Sequence, residues 1–123
     1  HAHDCIALAG TSPGFDRWTF RVSSPGGAGT KERAVAVRSR LVVNTGQAAV
    51  DAALAGLGLV RVLSYQVAEL VARHRLRLVL ERHEPLPLPI HIVQLPGAPV
   101  RAASAFAELA SQRLRARFAP HLS

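Results

Sequence analysis

The sequence predicts an α/β fold with a mixed, mostly parallel sheet flanked by helices. Segments of strand period alternate with segments of helix period, and the turns between them are short and marked by Gly, Pro or Asn. The 123 residues, 49% of them hydrophobic, are enough to enclose a buried core, so one compact domain is expected. A charged fraction of 19% and a mean hydropathy of +0.17 exclude a disordered chain. Every apolar run falls short of the roughly 18 residues that cross a bilayer, so no membrane partner is expected.

Residues 5–9, Cys-Ile-Ala-Leu-Ala, form a short apolar run closed by Gly10 and a turn cluster at residues 11–14, which reads as a strand and loop. Residues 17–22 alternate, with Trp18, Phe20 and Val22 on one face and Arg17, Thr19 and Arg21 on the other. The Gly- and Pro-rich stretch at 23–30 then predicts a hairpin loop, with residues 34–43 as the partner strand. Asn44 is a favoured N-cap, Gln47 stands at capping-box spacing, and Gly56 or Gly58 supplies a left-handed stop. Between them lies a helix of about three turns whose Ala48, Ala49, Ala52 and Ala53 allow close packing on a sheet. Residues 59–63 read as a β-branched strand, and Ser64 caps a second helix with Val67, Leu70, Val71 and His74 at helical spacing. Leu76, Leu78 and Leu80 alternate as a further strand.

Pro85, Pro87 and Pro89 forbid helix and cannot donate to a ladder, so residues 85–89 are a connector between subdomains 1–84 and 90–123. Beyond it a strand is expected at 90–95, a turn at 96–99 and an amphipathic helix at 100–118. The apolar stripe of that helix is Ala103, Phe106, Ala107, Ala110 and Leu114.

Fifteen basic and eight acidic residues give a net charge of +7, which attracts nucleic acid, anionic membrane or anionic ligands. All the cations except Lys31 are Arg, accompanied by abundant Ala, Val, Leu and Gly, a mix that GC-rich coding alone produces. They are spread along the chain with few aromatics beside them, so direct nucleic-acid binding by this segment is not expected. The lone Cys5 excludes an internal disulfide and makes the cytoplasm the default. His1, His3, Asp4 and Cys5 are metal-ligand types, but one thiol without paired spacings does not make a zinc site. Neither metal nor cofactor is expected. Gly56-Leu-Gly58 follows a helix and precedes a strand, the reverse of a dinucleotide fingerprint, and no nucleophile, base or Walker pattern marks an enzyme. The positive signal is the start of the Asn44 helix. Its free N–H groups, its dipole and the Thr45 hydroxyl sit at the carboxyl end of a strand, where open α/β sheets bind polar or anionic ligands.

The order of several segments is also distinctive: His-Asp-Cys at 3–5, Trp-Thr-Phe-Arg-Val at 18–22, and Leu-Val-Val-Asn-Thr-Gly-Gln-Ala-Ala-Val-Asp-Ala-Ala-Leu-Ala-Gly-Leu-Gly-Leu at 41–59. Val-Leu-Ser-Tyr-Gln-Val at 62–67, Arg-Leu-Arg-Leu-Val-Leu-Glu at 75–81, Leu-Pro-Ile-His-Ile-Val at 88–93 and the Phe106 helix follow in turn. In this order and spacing the chain resembles the later part of the effector-binding domain of LysR-type transcriptional regulators. The resemblance implies a bacterial, cytoplasmic, dimeric regulator with a periplasmic-binding-protein-like (type 2) effector domain. It also implies that DNA is bound through an N-terminal winged helix-turn-helix outside this sequence. Residues 1–84 would be the second lobe, 85–89 the crossover, and 90–123 the strand and helix returning to the first lobe. The start, with no initiator Met, fits a piece cut from a longer protein.

The resemblance further places a small-molecule effector against the first turn of the helix at Asn44 and Thr45, and more weakly against Val60 and Arg61. Arg61 departs from the small or apolar residue expected there, and either faces solvent or holds an acidic effector. Effector binding would alter the lobe angle and so the presentation of the DNA-binding heads, without catalysis. Apolar faces at 90–95 and 100–118 that lack their partners would drive self-association or exchange of an element between chains. The alternative on the same fold is a solute-binding protein of a transport system, which the motif order disfavours.

Overall fold

The computed structural model describes residues 3–10, 14–27, 29–97 and 100–118; His1 and the expected turn residues 11–13 and 98–99 lie outside the described residues. The chain divides into two units, His1–Pro85 and Leu86–Ser123.

In the first unit, β1 (Cys5–Leu8) is flanked by β4 (Ser39–Val43) and β5 (Leu59–Val60) in a three-stranded parallel sheet of order β4-β1-β5. A central parallel strand is covered on both faces, which is why β1 is apolar throughout and Cys5, Ile6 and Ala7 are buried. Ile6 aligns with Leu41 and Val60, and Leu8 with Val43, so all three carboxyl ends point to one edge. Over this sheet lies α1 (Gly46–Leu54), burying Ala49, Val50 and Ala52. Ala49 and Ala52 pack on Ile6, with Val43, Val60 and Val62 at the margin. Their short side chains let the helix axis approach the strands closely, as the alanine spacing predicts.

The remaining strands form a separate antiparallel ribbon. In it β2 (Arg17–Ser23) pairs with β3 (Thr30–Ala36), Trp18 opposite Val35 and Phe20 opposite Arg33. The α/β class is therefore observed, with parallel and antiparallel pairings in two sheets rather than one mixed sheet. Residues 34–43, expected as one strand, split between them. The Val37 N–H donates to the Asp16 carbonyl at 2.7 Å and the Cys5 N–H to the Arg38 carbonyl at 2.9 Å, and these two bonds carry the chain from ribbon to sheet.

The expected strand at 59–63 shortens to two residues, because only Cys5 and Ile6 of β1 face it. The second helix, α2 (Ser64–Ala72), follows with Val67 buried, and its N-cap is Leu63 rather than Ser64. No strand forms at 76–81. His74 and Leu80 are in the left-handed region, at φ 56° and 60°, which interrupts the extended run that the Leu76-Leu78-Leu80 alternation suggests. The segment closes in one 3-10 turn, Glu81–His83, with the His83 Nδ1–H donating to the Arg21 carbonyl at 2.9 Å.

The second unit, taken by itself, contains α3 (Arg101–Phe118). Its half-buried positions Ala107, Ala110, Leu114 and Phe118 follow helical spacing, while Ala103 and Phe106, expected in the stripe, are exposed. Residues 90–95 do not form the expected strand: among the described residues no other strand is paired with them. Ile92, Val93 and Leu95 line a cavity of about 440 Å³ with Val100 and Phe106 of the same unit.

Candidate functional site

The chain leaves the carboxyl end of β4 at Val43, passes Asn44 and Thr45, and enters α1 at Gly46. Thr45, not Asn44, is the N-cap, with the extended backbone (φ −130°, ψ 144°) that a cap requires. The Thr45 hydroxyl oxygen accepts from the Ala48 N–H at 3.2 Å, and its carbonyl accepts from the Ala49 N–H at 3.2 Å. Gln47 does not complete a capping box; its Nε2 donates to Asp51 Oδ1 at 2.8 Å one turn on. Among the described residues nothing accepts from the Gly46 and Gln47 N–H groups, which are left for an outside acceptor at the positive end of the helix. Asn44 and Thr45 are both exposed.

Gln66 shares this edge, and the sequence reading did not single it out. Its Oε1 accepts from the Leu63 N–H at 2.9 Å, and its Nε2 lies so close to Gly46 that any side chain at that position would collide with it. Gln66 thus joins the start of α2 to the start of α1. The clue in the sequence was its place three residues after the cap position, but the partner across the helix pair is a tertiary fact.

Val60 and Arg61 stand at the same edge on the far side of β1. Val60 pairs with Ile6 and packs against the core cluster, so its role here is support of the α1 seat. Arg61 is exposed and, among the described residues, forms no ion pair. The edge therefore offers backbone donors and a cation, a chemistry suited to anionic or acceptor-rich small molecules, with the Asp51 carboxylate one turn on engaged by Gln47.

The opposite, amino edge differs. Asp4 pairs there with Arg38 at 3.7 Å and Arg40 at 3.3 Å, both guanidinium groups largely in water, which limits their contribution to stability. A mostly apolar cavity of about 250 Å³ beside it is lined by Cys5, Trp18, Phe20, Val35, Leu59 and Leu80 among others, with His3 and Arg38 as its polar members. Burial, and secondly the Asp4 carboxylate, push the Cys5 thiol above its ordinary value of 9.0. The thiol is therefore protonated in the fold where an unfolded chain ionises, so its contribution to stability holds below pH 9.0 and declines above it. Native Cys5 should react with iodoacetamide at pH 8 at least about tenfold more slowly than in urea; equal rates would contradict its burial.

Among the described residues no group of three His, Cys, Asp or Glu side chains converges on a metal, and no helix is long and apolar enough to cross a membrane. Comparison with curated proteins and with solved structures finds no match. The profile described as the LysR substrate binding domain, in contrast, matches residues 17–115, a span that includes the ribbon, α1, α2 and most of α3. The chain therefore belongs to the LysR substrate binding domain family, the effector-binding part of LysR-type regulators, whose fold is periplasmic-binding-protein-like.

Proposed function

We propose that the chain senses a small anionic effector at the edge formed by Asn44 and Thr45, with Arg61 as the cation across β1 and Val60 as its support. The observation that carries the reading is the Thr45 turn: an exposed polar pair at the carboxyl end of a parallel strand, followed by two N–H groups with no acceptor among the described residues. Membership of the family supports a role in transcription regulation. DNA contact is assigned to a winged helix-turn-helix that is not among these residues, in a bacterial, cytoplasmic protein. Effector binding shifts the population between two lobe arrangements, which the DNA-binding part reads, and no bond is made or broken. Self-association is assigned to the apolar surface of the second unit, where Val93 is 89% and Leu95 93% exposed.

A thermal-shift screen against small organic acids tests this. A ligand at a hundred times its Kd stabilises by about 2.7 kcal/mol, easily resolved as a rise in Tm. Thr45→Val removes the hydroxyl and costs about 0.5–2 kcal/mol as a lost cap, so its Tm baseline falls. Measured from that lower baseline, the ligand-induced rise should vanish in Thr45→Val and persist in Thr45→Ser; an undiminished rise in Thr45→Val removes Thr45 from the site.

A further inference from the structure

Strand β3 is an open edge of the ribbon. It pairs with β2, among the described residues no further strand joins it, and all its positions from Thr30 to Ala36 are exposed. The ladder shows which of its backbone groups are free. At one end of the register the Ser24 N–H donates to the Gly29 carbonyl, and at the other the Val37 N–H donates to the Asp16 carbonyl. Bonded pairs alternate along an antiparallel ribbon, so between these ends Lys31, Arg33 and Val35 bond to β2, while the N–H and carbonyl groups of Thr30, Glu32, Ala34 and Ala36 point outward.

The side chains set a charge pattern along that edge. Lys31, Arg33 and Val35 share one face, where their cross-strand neighbours are Val22, Phe20 and Trp18. Those neighbours offer the two cations no carboxylate, and among the described residues neither cation forms an ion pair. We propose that β3 docks an extended acidic segment of another protein as an added antiparallel strand. The added main chain bonds to the outward groups of β3, and two carboxylates, on residues two apart, meet Arg33 and Lys31. From its N-terminus the segment reads apolar, any, acidic, any, acidic, with the apolar residue opposite Val35. A second copy does not supply such a strand. The register that uses all of β3 sets Arg33 opposite Arg33, and none of the eight acidic residues of this chain stands two positions from another. The inference is independent of the effector edge.

The probe is a synthetic peptide of that pattern, with valine and two glutamates in the named places and threonine elsewhere, titrated into the 15N-labelled chain. Saturable NMR shifts and slowed hydrogen exchange are expected at the outward Glu32 and Ala34 amides, with little change in exchange at Arg33, whose N–H is already bonded to β2. Arg33→Glu should weaken binding at least about tenfold, and a peptide with lysine opposite that position should recover it. Ala34→Pro removes an outward donor without touching the β2 ladder, so it should weaken binding by a similar factor with the urea midpoint little changed. The proposal is overturned by no saturable shift in the wild type, by affinity within twofold of wild type in Arg33→Glu, or by equal affinity for a peptide of the same composition whose glutamates are adjacent. Slowed exchange at Glu32 and Ala34 that grows with protein concentration alone also overturns it, in favour of a second copy. Saturation of these amides by a DNA duplex but not by the peptide does so in favour of nucleic acid.

Discussion

Replacing Gly58 with alanine should destabilise the first unit by at least about 3 kcal/mol, the largest loss expected from adding a single methyl group to this chain. Two costs combine there. The backbone is at φ +152°, outside the ranges that L side chains favour, and an added Cβ would overlap the Asp4 carbonyl oxygen. That oxygen cannot step aside freely, because it accepts the Leu59 N–H at 2.9 Å, the bond that begins the pairing of β5 with β1. Relief of the clash therefore breaks the sheet edge that carries Val60 and Arg61. Gly56 is the internal control. It is also left-handed, at φ +77°, but a Cβ there meets nothing within 4 Å, so Gly56→Ala should cost only about 1–2 kcal/mol. Urea midpoints for the two variants should differ accordingly, and equal losses would contradict the close approach at Asp4.

Ile6→Ala should cost about 2–5 kcal/mol. The core of the first unit is made largely of small side chains, and among the described residues Ile6, 1% exposed, is the only large one fully buried. It fills the space between the sheet and the alanine face of α1, and the alanines around it cannot extend to close the cavity its loss would leave. For a domain of roughly 60–100 residues each 1 kcal/mol lowers Tm by about 4–8 °C, so a fall of at least about 8 °C is expected in differential scanning calorimetry. A fall below 4 °C would mean that α1 does not sit on Ile6. Since α1 begins at the Thr45 turn, the variant should also weaken any effector response.

The elements most legible in the sequence are those with their own local signal. The alternation of Trp18, Phe20 and Val22, the alanine face and glycine stop of α1, and the long helix after Val100 all correspond to observed elements. Pairing was less legible. The apolar face of Val35, Val37, Leu41 and Val43 is interrupted only by Ser39, which is too weak a local signal to mark the passage from ribbon to sheet at Val37 and Arg38. Residues 76–81 and 90–95 carry strand patterns, but a strand needs a neighbour to complete its ladder, and among the described residues neither has one.

The candidate site divides in the same way. Asn44 and Thr45 were readable because capping chemistry is local, although the side chain that caps is Thr45. Gln66 was not, since its contact with Gly46 depends on how α1 and α2 pack. The net charge of +7 first pointed to nucleic acid as one of several partners. In the folded first unit the exposed Arg38 and Arg40 pair with Asp4, and Arg73 pairs with Glu69.

Ligand-induced stabilisation measured side by side in wild type, Thr45→Ser and Thr45→Val tests most directly whether a small anionic molecule is held at the Thr45 turn. An organic acid that raises the wild-type Tm should raise that of Thr45→Ser comparably and leave that of Thr45→Val at its own baseline. An equal rise in all three proteins would place the effector elsewhere and contradict binding at that turn.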